Sequence, residues 1–318
     1  WFLYICSFIM RIRLEQISTT CDHSCNPSGW FNCSFLKNLS MSKRDMHQGR
    51  DIHMDYQNIL FEQTGADGAV GLMTLNRPDK MNAWTHDMRD ELMHAMDRVN
   101  NDPNMGAMVI TGAGRGFCAG ADIGAMFKSK LDENAPKRPP SSGAWVKAVR
   151  GAKPMIAAVN GACVGVGLTQ ILPCDYIMAS EKAKFSCAFV KMGVVTELAS
   201  SHYLIQRMGW GNASEVSLTA RMIPGEEAVQ LGLADRLVAH DDLVNEAVAL
   251  GEMMAQNPSR QLRMVKELFT QNGSEADLDV ILQREFDALE LAYKSPEHRE
   301  AVNAFMEKRK PDFRKITE

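Results

Sequence analysis

Two glycine-rich bends constrain this chain more than anything else in it. Residues 111–123 read TGAGRGFCAGADI and residues 157–167 read AAVNGACVGVG, and each bend follows a short apolar strand, 106–110 or 154–159, and leads into a helix. A strand that ends in a glycine turn and continues as a helix is the repeating unit of an α/β fold. The first amides of such a helix have no intrahelical partner and lie at the positive end of its dipole, so they can face an anion. Two helix starts converging on one point would make an oxyanion hole. Read from the residues alone, the bends are equally well two tight turns that need positive φ or close packing.

The rest of the chain fits that class. NILFEQT and VGLMTLN form a strand pair turned at GADGA,. A helix follows, with Asn82 or Thr85 as its cap and Met88, Leu92, Met96 and Val99 at helical spacing up to a stop at residues 100–103,. The pattern then predicts strand 106–111, helices from about 122 and over 143–150, strand 155–160, a helix from about 167, strand 175–180 and helix 198–208,. Beyond Asp241 the strand signals vanish, and 241–256, 258–271, 275–293 and 296–308 read as helices whose apolar faces cover either their own core or a neighbouring subunit,. The expected domains are therefore 54–240 as the core and 241–318 as a helical region. Residues 1–53 differ in kind, with no sustained period and an excess of Ser, Cys and Asn. Their opening WFLYICSFIM imitates a signal segment without a basic region before it, so they are expected to be a non-native or disordered extension, with Met41, Met46 or Met54 as the start and a targeting peptide as the alternative,. Residues 128–143, charged and proline-bearing, read as a mobile surface loop beside the first bend,.

Composition removes several functions. With 318 residues, 45% hydrophobic and 23% charged, the chain can bury one large core or two smaller ones,. A net charge of −4 gives no footprint for nucleic acid,. No stretch approaches the roughly 20 apolar residues of a membrane span, and Cys118, Cys163, Cys174 and Cys187, scattered singly, fit a reduced cytoplasmic protein,. No metal is expected: Cys21, His23 and Cys25 lack a second ligand pair, and the histidines never frame a glutamate at i, i+4,. A nucleophile elbow, a phosphate loop and a dinucleotide fingerprint are all missing,. Cys118 lies beside the first bend without a nearby histidine in sequence and reads as packing,.

Four motifs in order, LNRPDKMNAW (75–84), GRGFCAGADI (114–123), NGACVGVGLTQILPCDYIMAS (160–180) and AKFSCAFVKMGVVTELASSHYL (183–204), closely resemble the crotonase superfamily of enoyl-CoA hydratases and isomerases over residues 56–312. The resemblance implies a crotonase-like ββα spiral with a C-terminal helical trimerisation region, a homotrimer or hexamer, and an acyl-CoA thioester substrate whose coenzyme A is part of the substrate, with no separate cofactor. It also implies that the backbone amides of Ala121 and Val166 donate to the thioester oxygen, with Ala119, Asp122 and Gly165 beside them as substrate-binding positions. Asp122 reads as a cap of the helix after the first bend rather than a base. Removing an α-proton requires stabilising the enolate, and each backbone donor is worth about 3 kcal/mol. Arg77 and Lys80, and Lys308 or Arg309, are candidates for the coenzyme A phosphates. Met81, Trp84, Phe127, Trp145 and Phe189 are candidates for the acyl cavity, against the plainer reading of ordinary core.

The departure from the family lies in the base. The hydratases it resembles use two glutamates, and Thr169 and Phe189 stand at those positions; neither is a general base at neutral pH. Glu197, in VVTELASS, resembles the single catalytic acid of one Δ3,Δ2-enoyl-CoA isomerase branch, with Thr196 replacing that branch's proline. One carboxylate serves both transfers of a 1,3-proton shift. The alternatives are a 2-enoyl-CoA hydratase, a non-catalytic acyl-CoA-binding subunit and, for Glu197 itself, a capping acid on the helix that starts near Leu198.

Overall fold

A computed structural model describes residues 54–126 and 142–316. The expectations placed on residues 1–53, on Phe127 and on nearly all of the 128–143 loop fall outside the described residues.

The elements in chain order are β1 (Ile59–Thr64), β2 (Val70–Leu75), α1 (His86–Asn101), β3 (Ala107–Gly112), β4 (Gly116–Cys118), α2 (Ile123–Met126), α3 (Ser142–Gly151), β5 (Met155–Val159), β6 (Ala162–Val164), α4 (Val166–Thr169), β7 (Tyr176–Ser180), β8 (Lys184–Ser186), α5 (Ser200–Thr219), β9 (Ile223–Pro224), α6 (Gly225–Gln230) and β10 (Arg236–Val238). Four helices follow, α7 (Leu243–Ala255), α8 (Ser259–Asn272), α9 (Leu278–Tyr293) and α10 (Pro296–Met306). Of the two candidate caps for α1, Thr85 is the one used, its Oγ1 accepting the Met88 amide at 3.1 Å,.

β1 and β2 pair antiparallel, and from β2 onward a six-stranded sheet runs parallel in the order β1-β2-β3-β5-β7-β10. Its central strands read VGLMTL, AMVITG, MIAAV and YIMAS because both faces are covered, which removes the polar half of the usual alternation,. One face packs with Met88, Leu92 and Met96 of α1 in the main core, and Val70, Val109, Ile156 and Met178 meet Leu243 and Ala247 of α7 on the other.

A second sheet, β4-β6-β8-β9, is made of strands two or three residues long. β3 hands over to β4, β5 to β6 and β7 to β8, and this stepwise alternation between sheets is the ββα spiral that the resemblance implies. The first two short strands lie inside the glycine bends, so each bend is a corner between sheets rather than a simple strand-to-helix turn. Helix α5 also runs beyond its expected end, to Thr219, by kinking at Gly209 (φ 74°, ψ 168°). In the C-terminal region α7 lies on the main sheet, α8 packs on α3, α9 on α8 and α10 on α9. Leu278, Leu282, Phe286 and Phe305 on the last two helices remain exposed. No described helix is long and apolar enough to cross a membrane.

Candidate active site

The pairing of β4 with β6, Gly116 opposite Ala162 and Cys118 opposite Cys163, draws the two bends together. A Cβ built on Gly120 would lie 3.3 Å from Val164 O, and one on Gly165 would lie 4.0 Å from Gly120 Cα. Ala121 and Val166, each one residue further on, therefore sit on adjoining stretches of backbone. A parallel bridge holds the first bend, in which Trp84 N donates to Gly120 O at 2.8 Å and Asp122 N to Trp84 O at 2.9 Å. Those bonds use the groups on either side of Ala121 and leave its own amide facing away from Trp84. Val166 opens α4, where an amide has no intrahelical acceptor,. Among the described residues, neither amide donates a hydrogen bond.

Two glycines make this approach possible. Gly165 adopts φ 54°, ψ −122°, a region closed to residues with a side chain, and its N–H donates to Ser186 O at 2.9 Å,. At Gly167, inside α4, a Cβ would meet Cys118 O at 2.2 Å.

The 77–82 loop braces the first bend. Met81 and Asn82 are both left-handed, at φ 51° and 54°. Asn82 is fully buried; its Nδ2 donates to Ala113 O at 2.9 Å and Gly116 O at 2.8 Å, and its Oδ1 accepts the Arg77 amide at 2.8 Å. Met81 O accepts the Ala119 amide at 3.0 Å, and Met81 Sδ lies 3.0 Å from Arg115 Nε. Arg77, a candidate for the phosphates, turns inward: its guanidinium donates to Ala83 O and, at 2.9 Å, to Asp122 Oδ2. Lys80 lies 4.0 Å from the same carboxylate with its side chain 65% exposed, so its cation is the outward-facing one of the two. Lys308 ends the C-terminal helices in an exposed left-handed turn, its amide bonded to Phe305 O at 3.2 Å.

Glu197 does not cap α5. The residue before that helix is Ala199, with no side-chain cap, and the Glu197 carboxylate instead accepts a hydrogen bond at Oε1 from Thr169 Oγ1 at 2.8 Å. Thr169 ends the one-turn helix that Val166 begins, so the acid is tied to the same element as the Val166 amide. Leu198 and Ala199 follow in left-handed conformations, φ 55° and 57°. Such strain in non-glycine residues concentrates at functional sites. Phe189, half-buried, begins a short turn and receives the Met192 and Val194 amides at its carbonyl.

Trp84 and Trp145 belong to the core; their rings meet edge to face at 5.3 Å, and Trp145 Nε1 donates to Gln170 O at 2.8 Å. Burial pushes the Cys118 thiol up to about 11, which keeps it protonated at neutral pH and unfit as a nucleophile,. Two contacts at the candidate site are not foreseen from the sequence, the Asn82 brace and the bond from the Thr169 hydroxyl. Asn82 carried a signal, since asparagine tolerates left-handed φ better than most residues.

Comparisons with known proteins find relatives over most of this chain. The family described as Enoyl-CoA hydratase/isomerase matches residues 65–316. A probable enoyl-CoA hydratase of Mycobacterium tuberculosis is 34% identical over 260 residues, covering 82% of this chain and 99% of its own. The 1,2-epoxyphenylacetyl-CoA isomerase of Escherichia coli is 32% identical, covering 77% of this chain and 94% of its own. The crystal structure of an enoyl-CoA hydratase from Bacillus anthracis superposes with a TM-score of 0.73 at 29% identity, over 82% of this chain and 100% of that one. With two packed bends, a carboxylate joined to one of them and a match that runs through both sheets and the C-terminal helices, the chain belongs to the enoyl-CoA hydratase/isomerase family of the crotonase superfamily.

Proposed function

We propose that this chain is an acyl-CoA-processing enzyme that stabilises a thioester enolate, and that its reaction is the Δ3,Δ2-enoyl-CoA isomerisation with Glu197 as the proton carrier. The observation that carries the reading is the 2.8 Å bond from Thr169 to Glu197, because it fixes a carboxylate to the helix whose first amide is the proposed oxyanion donor. Glu197 takes a proton from C2 of a 3-enoyl thioester and the electron pair moves into the carbonyl, whose oxygen the Ala121 and Val166 amides hold. The dienolate then collapses as Glu197 returns the proton at C4, leaving a 2-enoyl thioester with no atom gained or lost. The other acid beside the bends, Asp122, is engaged by Arg77. Water addition ordinarily employs a second acid, and Thr169 and Phe189 cannot supply it.

A second reading, 2-enoyl-CoA hydratase, is favoured by the names of most of the relatives. The test offers 3-hexenoyl-CoA and crotonyl-CoA to the purified chain. Migration of the double bond in the first, abolished in Glu197→Gln, supports the isomerase, whereas water incorporation into the second without migration selects the hydratase. Binding of both thioesters without turnover would leave a binding subunit. Lys80 and Lys308 are the exposed cations proposed for the phosphates, and the apolar face of Leu278, Leu282 and Phe286 is the proposed contact of a homotrimer.

A further inference from the structure

Thr169 stands where the resemblance puts a glutamate, and nothing in that resemblance gives it a task. It is fully buried, and its hydroxyl donates to Glu197 Oε1 at 2.8 Å. A threonine at this point of a helix commonly returns its hydroxyl to the carbonyl four residues back. Here that carbonyl, Gly165 O, receives the Leu168 and Thr169 amides, each at 3.0 Å, and the hydroxyl goes to the carboxylate. Helix α4 is one turn long, with the Val166 amide at its start and Thr169 at its end, about 4.5 Å of rise apart,. On its other side Glu197 runs into the left-handed pair Leu198 and Ala199, a conformation that persists only where the surroundings impose it,. The acid is therefore constrained through its backbone by one element and through its carboxylate by another.

We propose that Thr169 is the positioning residue for Glu197: its hydroxyl fixes the carboxylate at a set separation from the Val166 amide, so that the proton carrier and the oxyanion donor form one rigid piece. The inference rests on Glu197 being the proton carrier. A role in packing alone would depend on the threonine methyl; a role in positioning depends on the hydroxyl, and the two are separable by substitution.

The experiment compares Thr169→Val, which removes the hydroxyl at nearly constant volume, with Thr169→Ser, which keeps it. With 3-hexenoyl-CoA as probe, the valine variant is expected to lose kcat by about 10- to 100-fold with KM within about twofold, since a displacement near 1 Å costs on that order. The serine variant is expected to stay within about threefold of wild type, as the hydroxyl contact is retained. A crystal structure of Thr169→Val should show the Glu197 carboxylate displaced or spread over several rotamers. If the carboxylate stays in place in that structure, or if serine is as slow as valine, the proposal is wrong. Should the valine variant not fold, Thr169→Ala takes its place in every arm. Glu197→Gln separates the two claims: full turnover in that variant would overturn the proton-carrier reading, while the crystallographic arm still decides whether Thr169 holds the carboxylate.

Discussion

Gly167→Ala tests the packing of the two bends with a single methyl group. The new Cβ would stand 2.2 Å from Cys118 O, a backbone atom of β4 that has no rotamer by which to retreat. A carbon–oxygen contact relaxes only at about 3.3 Å, so α4 and β4 must separate by about 1 Å. Because α4 begins at Val166 and the strand β4 leads through Gly120 to Ala121, that opening moves the two amides relative to each other. A misplacement of this size costs about 100-fold in rate, close to the loss of one oxyanion donor. Overpacking should also remove about 1–3 kcal/mol of stability, which for a chain of this size lowers Tm by about 2–4 °C per kcal/mol. The assay is kcat and KM on 3-hexenoyl-CoA beside a thermal melt, with Gly151→Ala as the control, since nothing lies within 4 Å of a Cβ there. The expected result is a fall in kcat with little change in KM for Gly167→Ala and wild-type behaviour for the control. Wild-type kcat and Tm in Gly167→Ala would refute the close approach of the bends, and a lowered Tm with unchanged kcat would refute the assignment of the Val166 amide.

Three further outcomes can be checked by stability and assembly. Glu91, buried in α1, accepts the Gln57, Asn58 and Ile59 amides at 3.1, 2.8 and 3.1 Å, so Glu91→Gln, which turns one acceptor into a donor, should cost about 1–3 kcal/mol in a denaturant titration while leaving KM unchanged,. Burial pulls the Lys153 ammonium down to about 8 from 10.5, so between those pH values the unfolded chain binds more protons than the folded one and stability rises with pH,. Burial also lowers Lys266, so Lys153→Met should flatten, not abolish, that rise when unfolding midpoints are compared across the window. Phe286→Asp, on the exposed face of α9, should convert a trimer into monomers in light scattering without lowering helicity; an unchanged mass would remove that face from the interface,.

The fold class was legible because long apolar strands and amphipathic helices carry period. Met88, Leu92, Met96 and Val99 are all buried on one side of α1, as their spacing requires,. The short strands β4 and β6 were not legible, since three residues cannot display a period and their pairing is fixed by the corner between sheets. At the site, the bends and Glu197 were visible as motifs, yet the inward turn of Arg77 was not: an arginine in a loop reads as solvated until its partner, Asp122, is brought across from 45 positions away. The bond between Thr169 and Glu197, 28 positions apart, is hidden for the same reason.

The proposed oxyanion donors are main-chain amides, the same chemical group under every side chain but proline. Within the two bends, a mutational scan would therefore pass over residues 121 and 166 almost silently and report its losses at Gly165 and Gly167, which supply only the room. Read naively, such a map would credit the scaffolding with the chemistry and leave the working atoms unmarked.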